Sequence, residues 1–264
     1  MKINYPKKSL GQNFLKDQKI IDSIVEIGDI RKDDVVIEVG PGFGALTEKI
    51  LNKKPKSITV IEKDEKLVKF LNEKFGHKIN ILNDNMMKIS YENLVKKNLI
   101  IFGNLPYNIS TQILAKWIKT ENLDLFCKKF ILMFQKEVAD RITAKPNTKN
   151  YGRLSILSNW KMNIDKIFDI DPSSFNPSPK VKSTVLVFFP KKNYYRIKDP
   201  KNLEHITNIF FSQRRKMIKK PLKFLFKNFE EITKKLSLDL KQRPQNLDLL
   251  TYYQICELYE KSIN

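Results

Sequence analysis

Apolar residues fall along the first two thirds of the chain in short unbroken runs, and each run ends on a polar or small residue. Val35-Val36-Ile37-Glu38-Val39 and Ser57-Ile58-Thr59-Val60-Ile61 are two of them, and 79–82, 99–102 and 130–134 are three more. They are rich in β-branched or aromatic side chains and short enough to read as buried strands. Between them apolar positions recur at helical spacing. Ile20, Ile21, Ile24, Val25 and Ile27 precede the first run, with Asp17 placed as a cap. A helix is expected from about Ala45, another through Leu67, Phe70 and Leu71, and another around Ile113, Leu114 and Trp117. This alternation predicts an α/β fold, a mostly parallel sheet with helices on both faces. Two later strands, 164–170 and 184–189, flank a proline-rich stretch at 172–179 and are expected to close the sheet edge as a hairpin.

The pattern changes after Pro190. From about Pro200 the chain reads as helical and basic, with Ile206, Ile209 and Phe210 on one apolar face. The expected organisation is a Rossmann-like domain over residues 1–194 and a small all-α domain over 195–264.

A chain of 264 residues is long enough for both. Its formal net charge is +20, which makes nucleic acid the default partner, although drift toward Lys codons on a solvated surface also raises the count. Cys127 and Cys256 match no metal or redox spacing, and His77 and His205 are isolated, so no metal is expected. No apolar run is long enough to cross a bilayer, and the first residues lack the apolar core of a secretion signal. A cytoplasmic protein and a monomer are the expectations.

Ligands of open parallel sheets bind at the carboxyl ends of the strands. Here those ends carry Gly40, Glu62, Asp84 and Asn104 in succession. Gly40 and Gly42 let a ligand approach the main chain where a Cβ would intrude. Glu62 suits the two hydroxyls of a ribose, one per carboxylate oxygen, and Asp84 suits an adenine amine. The set matches S-adenosylmethionine, with Asn104 near its methyl. Each residue also has a plainer use: Glu62 as a solvated strand-end carboxylate, Asp84 in a turn or cap. The glycine loop alone also suits a nicotinamide or flavin enzyme. Against that, Pro41 removes an N–H that would cradle pyrophosphate, and the third glycine comes one position early.

Asn104-Leu105-Pro106-Tyr107 follows the fourth run. It places an amide, a rigidified backbone and an aromatic ring within four residues, which suits a flat base carrying an exocyclic amine. Pro106 biases Leu105 toward an extended conformation and so aims its carbonyl. The plainer use of these four residues is a strand-to-helix turn. Tetrads of this kind mark amino-methylating enzymes.

In all, the chain resembles the KsgA-type small-subunit ribosomal RNA adenine dimethyltransferases along nearly its whole length. The resemblance is carried by Ser9-Leu10-Gly11-Gln12-Asn13-Phe14-Leu15, by Glu38 to Thr47, by Ile61-Glu62-Lys63-Asp64 and by Asn104 to Ser110. Gln135 to Arg141, Tyr151 to Ser155, Pro177 to Ser183, Phe211 to Lys216 and Arg243 to Leu247 continue it. It implies S-adenosylmethionine as methyl donor, dimethylation of two adjacent adenosines near the 3′ end of small-subunit ribosomal RNA, and a role in ribosome biogenesis. It implies cofactor contacts from Asn13, Leu15, Gly40, Glu62, Asp84 and Asn104. Family members often have Gly-Asp-Ala where this chain has Asn83-Asp84-Asn85; the acidic position is kept. Tyr107 is expected to stack on one face of the adenine. By resemblance Phe175 is a candidate for the other, and a core aromatic is its plainer use. Arg214, Arg215 and Lys216 are expected on RNA phosphates, with a solvated helix face as the alternative.

Three other functions share these features. A large-subunit ribosomal RNA methyltransferase of the macrolide-resistance type has Gln-Asn-Phe-Leu and a similar tetrad. A non-catalytic assembly factor on the same scaffold would need the charge but neither the tetrad nor Glu62. A DNA adenine methyltransferase shares the tetrad chemistry.

Overall fold

Strands form where the apolar runs lie. The computed structural model describes residues 12–89 and 97–263. Ser9 to Gly11, the opening of the first resembling segment, lie outside the described residues. The strands are β1 (Phe14–Leu15), β2 (Val35–Val39), β3 (Ser57–Ile61), β4 (Asn80–Leu82), β5 (Leu99–Asn104), β6 (Cys127–Gln135), β7 (Met162–Ile170), β8 (Phe175–Asn176) and β9 (Ser183–Pro190). The helices are α1 (Gln18–Ile27), α2 (Ala45–Asn52), α3 (Glu65–Phe75), α4 (Ser110–Lys119), α5 (Leu123–Phe126), α6 (Lys136–Ile142), α7 (Arg153–Lys161), α8 (Pro200–Ser212), α9 (Lys219–Leu225), α10 (Phe229–Lys235) and α11 (Leu249–Ile263).

Among the described residues, seven strands make one sheet in the order β4-β3-β2-β5-β6-β9-β7. β2 is parallel to β3 and β5, β3 to β4, and β5 to β6; β9 runs antiparallel to β6. The closing strands do sit at the sheet edge, with β7 outermost. Val36, Val60, Ile100, Phe102 and Val187 are buried in its core, against Ile21 and Ile24 of α1 and Ile50 of α2. Each such side chain contributes roughly 1.5–3 kcal/mol by leaving water. Asp17 caps α1, accepting from the main-chain N–H groups of Lys19 at 3.0 Å and Ile20 at 3.3 Å.

The chain leaves β2 for β3 and β4 on one side, then returns to β5 and β6 on the other. The order therefore reverses between β2 and β5, which opens a crevice beyond their carboxyl ends. A second, two-stranded ladder sits apart from the sheet. β1 pairs antiparallel with β8, Phe14 opposite Asn176 and Leu15 opposite Phe175. The Lys16 N–H extends it, donating to the Ser174 carbonyl at 2.9 Å.

The chain forms two compact units. One runs through Ala139 and resumes over Asn163–Pro190; the other takes Asp140–Met162 and the chain from Lys191 onward. The second unit thus includes α7, which a boundary at 194 leaves in the first. The reason is packing within that unit. Tyr253 Oη in α11 donates to the Ile156 carbonyl in α7 at 3.0 Å, and Trp160 Nε1 donates to the Tyr195 carbonyl at 2.7 Å. The unit's core holds Leu203, Ile206 and Phe210 of α8 and Tyr252 and Ile255 of α11. Glu260 joins the start of α8 to α11 by accepting from the Lys198 and Asp199 N–H groups, both at 2.9 Å.

Candidate active site

The crevice beyond β2 and β5 is a cavity of about 570 Å³, inside the first unit. Its floor is the glycine loop. Gly40 and Gly42 have φ of +68° and +58°, conformations that L side chains rarely adopt. A Cβ on Gly40 would lie 3.3 Å from the Asn104 carbonyl oxygen, and a Cβ on Gly42 would lie 2.6 Å from the Phe14 ring. The loop is thus pressed between the end of β5 and the N-terminal segment. Phe14 packs on Phe43 with ring centroids 4.5 Å apart, which closes the segment over the loop. Asn13, Phe14, Leu15 and Lys16 line one wall.

Glu62 lies 8% exposed at the end of β3. Its Oε1 accepts from the Lys63 N–H at 2.8 Å and the Asp64 N–H at 2.9 Å. Burial holds its pKa above the ordinary carboxylate value, against the main-chain donors of Asp64, Lys63 and Gly42. Both lone pairs of Oε1 are therefore engaged before any ligand arrives, which departs from the one-hydroxyl-per-oxygen arrangement. Asp84 also lines the cavity and is exposed; its Oδ1 accepts from the Asn85 N–H at 2.6 Å.

Asn104 ends β5. Its Nδ2 donates to the Asn13 carbonyl at 2.8 Å. A carbonyl only accepts, so the nitrogen must face it, and the amide oxygen is turned to the other side. Leu105 follows, 1% exposed, with its side chain packed where a Cβ on Gly103 would sit. The Pro106 carbonyl accepts from the Ile109 N–H at 3.1 Å, so the tetrad is indeed also a turn that starts α4. Tyr107 is half-buried, and its hydroxyl lies 2.5 Å from Ser183 Oγ at the head of β9. Burial raises the Tyr107 pKa, opposed by the Ser183 bond. The Ser183 contact thus tethers the hydroxyl end of the ring.

The expected residues Asn13, Leu15, Gly40, Gly42, Glu62, Asp84, Asn104, Leu105, Pro106 and Tyr107 all line this one cavity. Phe175 does not. It is 1% exposed in the core, with Leu15 opposite it in the β1–β8 ladder, and its neighbour Asn176 reaches the cavity instead. Phe175 is a core aromatic here, because pairing with β1 turns its ring inward.

Glu38 was not foreseen as part of the site. It lines the cavity at 1% exposure, with Oε2 accepting from Thr47 Oγ1 at 2.5 Å. Burial, opposed by the Thr47 bond and aided by the nearby Glu62 charge, lifts its pKa to about 7. A carboxylate inside an otherwise apolar strand, just before the glycine loop, was the available signal.

In the second unit the three basic residues separate. Arg214 Nη2 donates to the Lys149 carbonyl at 2.8 Å and to Gln245 Oε1 at 3.1 Å, so its guanidinium ties two loops of its own unit. It serves as a strut through Nη2. Arg215 and Lys216 are exposed and line a groove of about 620 Å³ whose other cations are Lys219, Lys220, Lys223, Lys241 and Arg243.

The glycine cradle, where a Cβ would crowd Asn104 at Gly40 and clash with Phe14 at Gly42, fits the aminoacyl end of S-adenosylmethionine, and a strand-end carboxylate on the neighbouring strand fits its ribose. With an amide acceptor at the reversal point, the architecture is that of an S-adenosylmethionine-dependent methyltransferase. A family model described as Ribosomal RNA adenine dimethylase matches residues 3–261. A Ribosomal RNA small subunit methyltransferase A of Pelagibacter ubique is 53% identical over 254 residues, covering 96% of this chain and 97% of that protein. One from a Wolbachia of Drosophila simulans is 42% identical, covering 96% and 92%. Among solved structures, a dimethyladenosine transferase from Plasmodium falciparum shares the fold at TM-score 0.78 and 24% identity, covering 94% of this chain and 98% of that one. The 23S rRNA methyltransferase ErmE shares it at TM-score 0.66 and 21% identity, covering 92% and 99%. The chain belongs to the ribosomal RNA adenine dimethylase family. It is an enzyme, its methyl donor is S-adenosylmethionine, and its substrate is RNA. Among the described residues no helix is long and apolar enough to cross a membrane.

Proposed function

We propose that this enzyme, acting as a cytoplasmic monomer, dimethylates the N6 amino groups of two adjacent adenosines near the 3′ end of small-subunit ribosomal RNA. The names of its curated relatives support the choice of small subunit over large. One observation carries the chemistry: Asn104 Nδ2 is committed to the Asn13 carbonyl, so the side chain offers an acceptor to the cavity.

A stacked adenine cannot present its amine to a recessed site, so the base must be extruded; loops and ends of RNA make that cheap. The amine's lone pair is delocalised into the ring and is a poor nucleophile. Asn104 Oδ1 and the Leu105 carbonyl accept its two hydrogens and leave the lone pair aimed along one direction. Pro106 fixes the Leu105 carbonyl, and Tyr107, tethered to Ser183, supports one face of the base. When bound, S-adenosylmethionine supplies an electrophilic methyl group on a cationic sulfur. Asn13, Leu15, Gly40, Gly42, Glu62 and Asp84, which line the cavity, would hold that cofactor, and Asn104 would contact it as well as the base. Rate then comes chiefly from alignment: the amine nitrogen takes the methyl, the electron pair of the broken bond stays on sulfur, and the surplus proton on nitrogen passes to water without a strong base. Arg215 and Lys216 meet RNA phosphates.

The test is to treat under-methylated small subunits with the purified protein and labelled cofactor, then map the modified nucleotides. Label on two adjacent adenosines near the 3′ end is expected. Label confined to large-subunit RNA or to duplex DNA would assign a different substrate, and no label would assign a purely binding role.

A further inference from the structure

The second unit carries an aromatic ring where folding gives no reason for one. Phe224 is 74% exposed, although α9 buries Leu222 and the next turn buries Phe226. Phe224 stands away from that buried side, one helical turn beyond Lys220 on the same face. Lys220 and Lys223 line the basic groove, and of its nine lining residues seven are cations and none is acidic. Met217, also in the groove, is 56% exposed. A polyanion is what such a groove fits, and Phe224 shares α9 with two of its lining residues, next in the chain to Lys223 and one turn from Lys220.

We propose that Phe224 is a stacking platform for an unpaired nucleobase of an RNA whose phosphates lie in the adjoining groove. The inference rests on the RNA reading of that groove. Cations hold a phosphate backbone without regard to sequence, and any base has a π-face for an aromatic ring to cover. A helix lying on a membrane would need several apolar neighbours on its exposed side. Along the chain Phe224 is flanked by Lys220, Lys223 and Lys227 instead. A single ring among cations suits one base, not a lipid layer.

The experiment compares full-length wild type, Phe224→Ala, Phe224→Leu, Phe224→Trp and the Lys220→Gln/Lys223→Gln double variant. Each is titrated at several salt concentrations with an RNA hairpin carrying an unpaired loop and with a fully paired duplex of equal length. Phe224 is exposed, so its variants are expected to melt as wild type does. Phe224→Ala and Phe224→Leu are expected to weaken hairpin binding about fivefold to a hundredfold, with the salt slope unchanged and little effect on duplex. Phe224→Trp is expected to keep affinity and to show emission quenched by the hairpin, since the native Trp117 and Trp160 are both buried. The double lysine variant is expected to weaken both RNAs and reduce the salt slope by about one to two. If Phe224→Ala and Phe224→Leu bind the hairpin as wild type does while the lysine variant flattens the slope, stacking is wrong and the RNA groove stands. If the lysine variant leaves the slope unchanged, the groove reading falls and this inference with it. Loss of binding to anionic phospholipid vesicles by Phe224→Ala, with hairpin affinity intact, would assign the ring to a membrane and overturn the proposal.

Discussion

Thr47 donates its hydroxyl to Glu38 Oε2 at 2.5 Å, and both residues are buried. The bond neutralises neither the charge nor its desolvation, so Glu38 keeps a proton up to about pH 7 instead of its ordinary 4.5. A carboxyl whose pKa rises on folding favours the folded state fully below its unfolded pKa. That contribution is lost as pH climbs through the folded value. The protein should therefore lose stability between about pH 4.5 and 7 from this group, on the order of 3 kcal/mol in all. Glu38→Gln should melt near wild type at pH 5 and clearly above it at pH 8. Melting curves that stay parallel across this range would show that Glu38 ionises as an exposed carboxylate does.

Glu62 tests the cofactor assignment. Glu62→Gln retains an oxygen for the Lys63 and Asp64 N–H groups, so the local backbone is spared. Loss of a charged acceptor should raise the cofactor dissociation constant about tenfold to a hundredfold, with a smaller change in saturated turnover. Calorimetric titration with the cofactor measures the first and initial rates the second. An unchanged dissociation constant would return Glu62 to an ordinary strand-end carboxylate.

Tyr107 and Ser183 should behave as one device. Tyr107→Phe and Ser183→Ala each remove the same 2.5 Å bond, so each should slow methyl transfer by less than about tenfold, and the double variant should be no worse than either. Tyr107→Ala also removes the ring and should cost much more. Additive losses in the double variant would mean that the hydroxyls act separately.

Arg214 and Arg215 should separate cleanly. Arg214→Ala leaves the Lys149 carbonyl and Gln245 without their partner and should destabilise the second unit by about 1–3 kcal/mol, leaving the salt slope of RNA binding nearly unchanged. Arg215→Gln should do the reverse, with normal melting and a slope reduced by about one. A lowered slope for Arg214→Ala at unchanged stability would restore it as a phosphate contact.

Much of the fold was legible because a buried parallel strand leaves a strong trace. Val35–Val39 and Ser57–Ile61 form strands with those bounds, and the strand-end residues Gly40, Glu62, Asp84 and Asn104 meet at one cavity. Other features left no such trace. The β1–β8 ladder joins two-residue strands some 160 positions apart, too short to show a period, yet it sets the inward turn of Phe175. α7 buries Ser155 and Ser158 along with Ile156 and Trp160, so no clean apolar stripe marked it. Arg214 looked like its neighbours because charge is visible in a sequence and a loop carbonyl within reach is not. For Glu62, the two N–H groups that engage Oε1 come from the next two residues, a local turn that composition does not reveal.

The most direct measurement is of Asn104→Ala, with turnover on under-methylated small subunits and cofactor affinity determined side by side. The variant loses the acceptor for the adenine amine and also the brace to Asn13. Turnover should fall by a hundredfold or more while cofactor affinity falls by no more than about tenfold, the cost of one hydrogen bond. Equal losses in both would make Asn104 a structural support of the cofactor pocket and would contradict its role in holding the target amine.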